Sequence, residues 1–92
     1  MRTYNERLTN VHTDHVGKPV RWTWRERTYQ GGPVLDHWIT TTEWWRQEQA
    51  AGAEAGGIEH WLIEASSAHG TGQVELALDE ASKVWRLVSV VD

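Results

Sequence analysis

The clearest pattern in the chain is an alternation of apolar and polar side chains between Lys18 and Arg25. Val20, Trp22 and Trp24 fall on one parity, and the residues between them are Thr or Arg. Successive side chains of a strand point to opposite faces, so the pattern predicts a strand with one buried tryptophan face and one basic face. A helix would separate the two tryptophans by about 200° and give no such division.

The other apolar segments are predicted to be strands that cover this tryptophan face. Gly31-Gly32-Pro33 indicates a bulge or corner inside the second strand, where a sheet can fold over itself. Strands joined by short polar turns favour an antiparallel meander. We therefore predict an all-β fold, a five-stranded antiparallel meander that forms a small barrel or a strongly bent sheet. The predicted strands are 18–25, 28–41, 58–65, 73–78 and 83–91.

Two segments are predicted to lie outside the regular sheet. Residues 1–15 are mostly polar and are expected to form a flexible N-terminal arm, which leaves 16–92 as a single β domain. Residues 46–57 are rich in Ala, Gln, Glu and Gly, a composition typical of a mobile connection. A short helix near 43–52 is the open alternative for this stretch.

The composition limits the class of protein. Seven tryptophans in 92 residues can supply a small domain with a core that needs no covalent staple. There is no cysteine, which excludes disulfides and thiolate chemistry and fits a reducing cytoplasm. No apolar run approaches the roughly 20 residues that span a bilayer, so we expect a cytoplasmic protein without membrane association.

The charges are distributed unevenly, and this distribution predicts a binding surface. The net charge is −4, yet residues 1–46 carry seven Lys/Arg against five Asp/Glu. The candidate surface is centred on Arg21, Arg25 and Arg27, with Trp44 or Trp45 beside them. Strand alternation predicts Arg21 and Arg25 on one side of the sheet, and adjacent tryptophans cannot easily bury both rings.

Three interpretations of this surface stay open. Arginines beside exposed rings are typical of proteins that bind single-stranded nucleic acid. Trp and Arg are also common anchors of protein–protein interfaces. In the third interpretation the arginines only solvate the outer face, and their stems cover the tryptophan rings.

Catalytic motifs are not found in the sequence. It has no Walker sequence, no dinucleotide-binding glycine pattern, no nucleophile elbow and no zinc-protease motif. Pairing of two strands would bring His37 near His60 or Glu59, but no third ligand for a metal is evident. We therefore expect no cofactor, no metal site and no enzymatic activity. A small enzyme is the least favoured hypothesis.

A set of segments along the chain forms a recognisable ordered pattern: Pro19–Tyr29, Val34–Trp38, Trp44–Trp45, Glu59–Glu64, Val74–Leu76, Trp85–Val88 and the final Asp92. Together they resemble a bacterial family of small Arg/Trp-rich β domains of unknown function. The resemblance covers roughly residues 16–92 and implies a β fold. It also implies a DNA-repair context, because some members occur with, or are fused to, inactive Y-family polymerase-like proteins of the translesion mutasome. The chain departs from the family at Glu26, where Gly is usual, and in the Ala/Gly-rich segment 47–57, which is usually shorter and more charged.

The sequence thus favours a non-enzymatic interaction module that recruits a protein partner, with a polymerase-like repair protein implied by the resemblance. A single-stranded nucleic-acid-binding domain is the alternative. The oligomeric state is left open at this stage.

Overall fold

The computed structural model describes residues 2–41 and 57–91, and these residues form one antiparallel sheet of seven strands. In these two ranges there is no helix, and therefore none with the length and hydropathy to cross a bilayer. The strands are β1 (Arg2–Arg7), β2 (Thr9–Thr13), β3 (Pro19–Trp24), β4 (Arg27–Thr41), β5 (Gly57–Ser67), β6 (Gly70–Asp79) and β7 (Val84–Val91).

The order of the strands shows that the sheet is curled into a half-barrel. The order is β1-β7-β6-β5-β4-β3-β2, so β3 to β7 form a simple meander. β1 pairs with β7 at one edge, and β2 pairs with β3 at the other. Only Leu8 separates β1 from β2 along the chain. One residue spans less than 4 Å, so the two edges of the sheet must lie close together at this point.

Leu8 secures this closure by both its backbone and its side chain. Its N–H donates to the carbonyl oxygen of Trp85 over 2.9 Å, and its side chain is only 5% exposed. It packs in the same apolar cluster as Trp22 and Leu87, which lie on strands near opposite edges of the sheet. The strand pair β1–β2 therefore acts as one kinked strand that bridges both edges.

Trp22 is the centre of the core on the concave face. Its side chain is completely buried and lies in one cluster with Leu8, Ala65, Val74, Leu76 and Leu87. The predicted parity of β3 is confirmed, because Trp22 is buried while Arg21 is exposed. Trp24, on the same parity, is half-buried and packs against the edge of the cluster.

The buried indole of Trp22 requires a glycine on the neighbouring strand. A Cβ atom at Gly31 would lie 2.6 Å from the backbone oxygen of Pro19 and 3.2 Å from Cζ3 of Trp22. The register of β4 on β5 shifts just after Gly31, as the glycine-proline sequence predicted for a bulge or corner. The missing side chain thus lets β3 and its tryptophan approach β4 closely.

The strand count differs from the prediction. The sheet has seven strands instead of five, because residues 1–15, predicted to be a flexible arm, contain β1 and β2. These strands bury few side chains of their own, so their apolar periodicity is weak. The flexibility of the arm in solution stays a prediction. The short helix predicted near 43–52 lies outside the described residues.

The β3–β4 hairpin turns through two residues in a strained conformation. Arg25 and Glu26 both have positive φ angles, 51° and 65°, between the paired residues Trp24 and Arg27. This is the geometry of a type I′ turn, which is usually occupied by Asn-Gly or Asp-Gly. A side chain with a Cβ costs about 1–2 kcal/mol in this region, so the turn needs compensating contacts.

Gly31 and Gly32 offer a matched test of the close approach between β3 and β4. We expect Gly31→Ala to lower the free energy of unfolding by about 1–3 kcal/mol, because the new methyl group meets backbone atoms that cannot easily move. Gly32→Ala should change it by at most about 0.5 kcal/mol, because its Cβ would lie at ordinary contact distances of 3.4 and 3.5 Å from Glu64. Urea unfolding followed by tryptophan fluorescence measures both. Equal losses of stability in the two variants would contradict the close approach of β3 and β4 at Gly31.

The strain in the hairpin predicts a stabilising substitution. Glu26→Gly should raise the free energy of unfolding by about 1 kcal/mol, because glycine adopts a positive φ without steric cost. Thr28→Gly, at an exposed position on the same hairpin with ordinary strand geometry, should lower it by about 0.5–1 kcal/mol. The same urea titration compares them. A destabilised Glu26→Gly variant would mean that the Glu26 side chain supports the fold in some other way.

Candidate aromatic–arginine site

The most distinctive surface of the molecule lies where β1 crosses the β3–β4 hairpin. We call it the aromatic–arginine mouth and define it by Tyr4, Trp24, Arg25, Arg27 and Tyr29. These side chains line a single depression at the end of the curled sheet. β1 supplies Tyr4, and the hairpin supplies the other four. The mouth therefore exists only because the sheet closes on itself.

Arg25 is held at the mouth by rings on two sides. Its guanidinium carbon lies 4.8 Å from the ring centre of Trp24 and 5.0 Å from that of Tyr4. The two rings meet edge to face, with their centres 5.0 Å apart. A guanidinium placed this close to aromatic rings is stabilised by the ring quadrupole. These contacts help to compensate the strained backbone of Arg25.

Glu6 completes the environment of Arg25 from β1. One carboxylate oxygen of Glu6 accepts hydrogen bonds from Arg25 Nε and Trp24 Nε1, each at 3.1 Å, and the other oxygen pairs with Arg25 Nη2. The hydrogen bond from Arg25 lowers the pKa of Glu6 below its usual value, and the same bond raises the pKa of Arg25. The charge of Arg25 is thus neutralised locally by Glu6.

Arg27 is placed differently and keeps its charge available. It pairs directly with Trp24 across the hairpin, so it shares the concave face with Trp24 and Tyr29. Its side chain is exposed and has no hydrogen bond or ion pair within the described residues. Arg27 is therefore a cation of the mouth whose charge is not neutralised by any side chain of the described residues.

Behind Arg27 lies a half-open pocket of about 210 Å³, which we call the mouth pocket. Its floor is formed by core side chains, including Trp22, Val74 and Leu87. Its rim carries Arg27 and small polar residues of the β5–β6 hairpin, among them Ser67 and Thr71. An apolar cavity of ~150 Å³ can hold benzene, so the mouth pocket has room for one aromatic or branched side chain.

Trp22 carries a buried polar group without a partner. Its Nε1–H has no hydrogen-bond partner among the described residues. A buried donor without a partner costs about 1–3 kcal/mol. Trp61 Nε1–H is buried in the same way, so this cost belongs to the core and does not mark the pocket.

The structure separates the arginines that the sequence grouped together. Arg21 and Arg25 were expected on one side of the sheet, but Arg25 lies over Trp24 on the concave side while Arg21 points outward. The positive φ of Arg25 ends the strand alternation and redirects its side chain. Arg25 and Arg27 are brought together at the mouth, and Arg21 is not.

The remaining predicted site residues, Trp44 and Trp45, lie outside the described residues. Sequence reasoning also missed Tyr4, Glu6 and Tyr29. Tyr4, Glu6 and Leu8 are spaced two residues apart and so share one face of a strand. This spacing is a signal that could have identified β1 as a strand facing the core.

Two His–Glu pairs occupy opposite faces of the β4–β5 ladder. On the concave face, His37 Nε2 lies 3.0 Å from Glu59 Oε2, and the His37 ring lies over Trp61. On the convex face, His60 is stacked on Trp38 and pairs through Nδ1 with Glu75 at 3.1 Å. His37 therefore meets Glu59 and not His60. Within residues 2–41 and 57–91, no group of three or more acidic or histidine side chains could hold a metal ion.

Comparison with known proteins gives a family but no characterised relative. Neither the curated proteins nor the solved structures include one that matches this chain. The family described as "Domain of unknown function (DUF6504)" matches residues 3–92. This agrees with the expected small domain of unknown function, and the association with polymerase-like proteins stays a prediction. Since the match covers nearly the whole sequence, the chain belongs to the DUF6504 family.

Proposed function

We propose that this protein is a non-enzymatic binding module whose aromatic–arginine mouth recruits an acidic segment of a partner protein. The observation that carries the proposal is the position of Arg27, a cation without a partner in the described chain, at the rim of an apolar pocket. Charge at the rim and apolar surface at the floor are the two features of a peptide-anchoring site.

The chemistry of the mouth defines the segment it would take. Arg27 favours a carboxylate, and a guanidinium can bind it through two parallel hydrogen bonds. The mouth pocket favours a neighbouring apolar side chain of moderate size. A short segment with an aromatic or branched residue next to Asp or Glu would meet both requirements.

Single-stranded nucleic acid is the second candidate, supported by the arginines and rings that the mouth combines. Base stacking needs an accessible ring face. At Trp24 the ring is approached by Arg25 and by the edge of Tyr4, and its Nε1–H is engaged by Glu6. These contacts favour a peptide ligand over a nucleic acid.

The proposal also concerns the cellular process in which the partner acts. The resemblance noted from the sequence implies a partner that acts in DNA damage tolerance, such as a polymerase-like repair protein. The absence of cysteine fits a cytoplasmic protein. The proposed function requires no cofactor and no bond-making step, only recognition at the mouth.

The proposal predicts that Arg27 is needed for binding and that Arg21 is not. The probes are a short peptide with one leucine flanked by glutamates and a single-stranded oligothymidylate. The readout is tryptophan emission, because Trp22 and Trp24 line the mouth pocket. We expect the peptide to bind weakly, with an affinity that falls as salt is added. Arg27→Glu should weaken binding about tenfold or more, because it replaces attraction with repulsion.

Arg21→Glu is the matched control, because Arg21 is also exposed and its side chain lacks a partner in the described chain, but it lies on the opposite face. It should leave peptide binding nearly unchanged and leave the fold intact. Salt-sensitive quenching by the oligonucleotide alone would favour the nucleic-acid candidate. Equal losses in both arginine variants, or no response to either probe, would contradict binding at the mouth.

A further inference from the structure

The strand β1 is held lightly in the closed sheet. It lies at one edge and, among the described strands, is paired with β7 alone. Four of its six side chains are exposed, and only Tyr4 and Glu6 are half-buried. Its register on β7 shifts between Thr3 and Glu6, which interrupts the ladder. An element with few buried side chains and an irregular ladder opens at a low free-energy cost.

Leu8 lets β1 move without disturbing the rest of the fold. Its N–H donates to the carbonyl oxygen of Trp85 and its side chain is buried, so the chain is anchored immediately after β1. The next strand, β2, is paired with β3 and does not depend on β1 for its own ladder. β1 can therefore leave the sheet while Leu8 and the core around it stay in place.

The contacts that β1 makes at the mouth are those that a peptide ligand would make. The carboxylate of Glu6 accepts hydrogen bonds from Arg25 and Trp24, and the ring of Tyr4 packs edge to face on Trp24. Tyr4 and Glu6 lie two positions apart and so share one face of an extended strand. A carboxylate on a guanidinium, beside a ring on a ring, is also the chemistry of protein interfaces.

The surface beneath β1 favours an acidic replacement. The side chains of Arg25 and Glu6 are 57% and 39% exposed, and an ion pair at this exposure contributes little to stability. Release of β1 would leave Arg25 without this carboxylate, beside Arg27, which has no partner in the described chain. Apart from β1, the described lining of the mouth contains no acidic residue and consists of Trp24, Arg25, Arg27, Tyr29 and Val90.

We propose that β1 is an autoinhibitory strap, displaced from the mouth by a partner strand that carries an aromatic residue and, two positions later, a carboxylate. This exchange rests on the proposed function, because it specifies the ligand of the same mouth. The partner's ring takes the place of Tyr4 on Trp24, and its carboxylate takes the place of Glu6 on Arg25. Its backbone adds to the edge of β7 that β1 leaves, which is a recurring mode of peptide recognition.

The mouth pocket gives the partner an advantage that β1 lacks. Because β1 is tethered through Leu8, it competes with any free segment at an effective concentration in the millimolar range. A displacing segment must therefore gain contacts that β1 does not make. No residue of β1 lines the mouth pocket, and Arg27 at its rim is not engaged by β1. An apolar side chain in this pocket and a second carboxylate on Arg27 supply those contacts.

A peptide that copies β1 tests the exchange on the full chain. The probe is the blocked peptide Thr-Tyr-Asn-Glu-Ser-Leu, which repeats residues 3–8 with serine in place of Arg7. Glu6→Gln weakens the hold of β1 on Arg25, so this variant should bind the probe at least about fivefold more tightly than the wild type. Tryptophan emission measures both affinities. Glu80→Gln is the matched control, because it removes the same charge from the β6–β7 turn and should bind like the wild type.

A permuted peptide and hydrogen exchange test the spacing and the displacement. Thr-Asn-Tyr-Glu-Ser-Leu has the same composition, but its ring and carboxylate lie on opposite faces of a strand. It should bind at least about tenfold more weakly than the probe. At saturation the probe should speed the amide exchange of β1, in the wild type as well as in the Glu6→Gln variant. A peptide that binds beside β1 would slow this exchange or leave it unchanged.

Far-UV circular dichroism confirms that each variant is folded, and the exchange measurement on the wild type needs no variant. Equal affinities of the wild type and Glu6→Gln for the probe, or β1 amides that exchange no faster in its presence, would overturn the strap. Suppose the leucine–glutamate peptide binds and the probe binds neither protein. The mouth then recruits a peptide without exchanging β1, and only the strap is excluded. If neither peptide binds either protein, the proposed function fails and the strap fails with it.

Discussion

The packing of one indole ring against one glycine determines the shape of this protein. Trp22 can be fully buried because Gly31 on the adjacent strand has no side chain, and the two strands approach where a Cβ would otherwise collide with the backbone. Just beyond Gly31 the register of β4 shifts. The sheet therefore bends around the tryptophan, and a chain with a small core gains one large buried group at its centre.

The closure of the sheet links this core to the candidate function. Because β1 and β2 are separated only by Leu8, they bridge the two edges, and β1 carries Tyr4 and Glu6 onto the β3–β4 hairpin. There they hold Arg25 in a turn that is otherwise unfavourable. Arg27, two residues further on, is left at the rim of the mouth pocket.

The alternation of apolar and polar side chains along the chain predicts much of this architecture. The rest depends on edge strands and turn conformations, which leave little trace in that alternation. The burial of Trp22, Ile63 and Leu76 follows from period-two patterns in their strands. β1 and β2 were missed because they lie at the edges and bury little beyond Leu8. The direction of Arg25 was missed because a positive φ in a turn without Gly or Asn is not visible in the sequence. The mouth was therefore recognised only in part, through Arg25 and Arg27.

The contact between Tyr4 and Trp24 tests the central claim, that one kinked strand closes the sheet around Trp22. Their ring centres lie 5.0 Å apart, although Tyr4 lies on β1 at one edge of the sheet and Trp24 lies on β3, next to the other edge. A nuclear Overhauser spectrum of the folded chain measures this contact directly. We expect cross-peaks between the two rings, together with cross-strand peaks for Thr3 with Ser89 and for Thr9 with Thr23. A folded protein with the β1–β7 peaks but neither the ring contact nor the β2–β3 peaks would have an open sheet, and the account would be wrong.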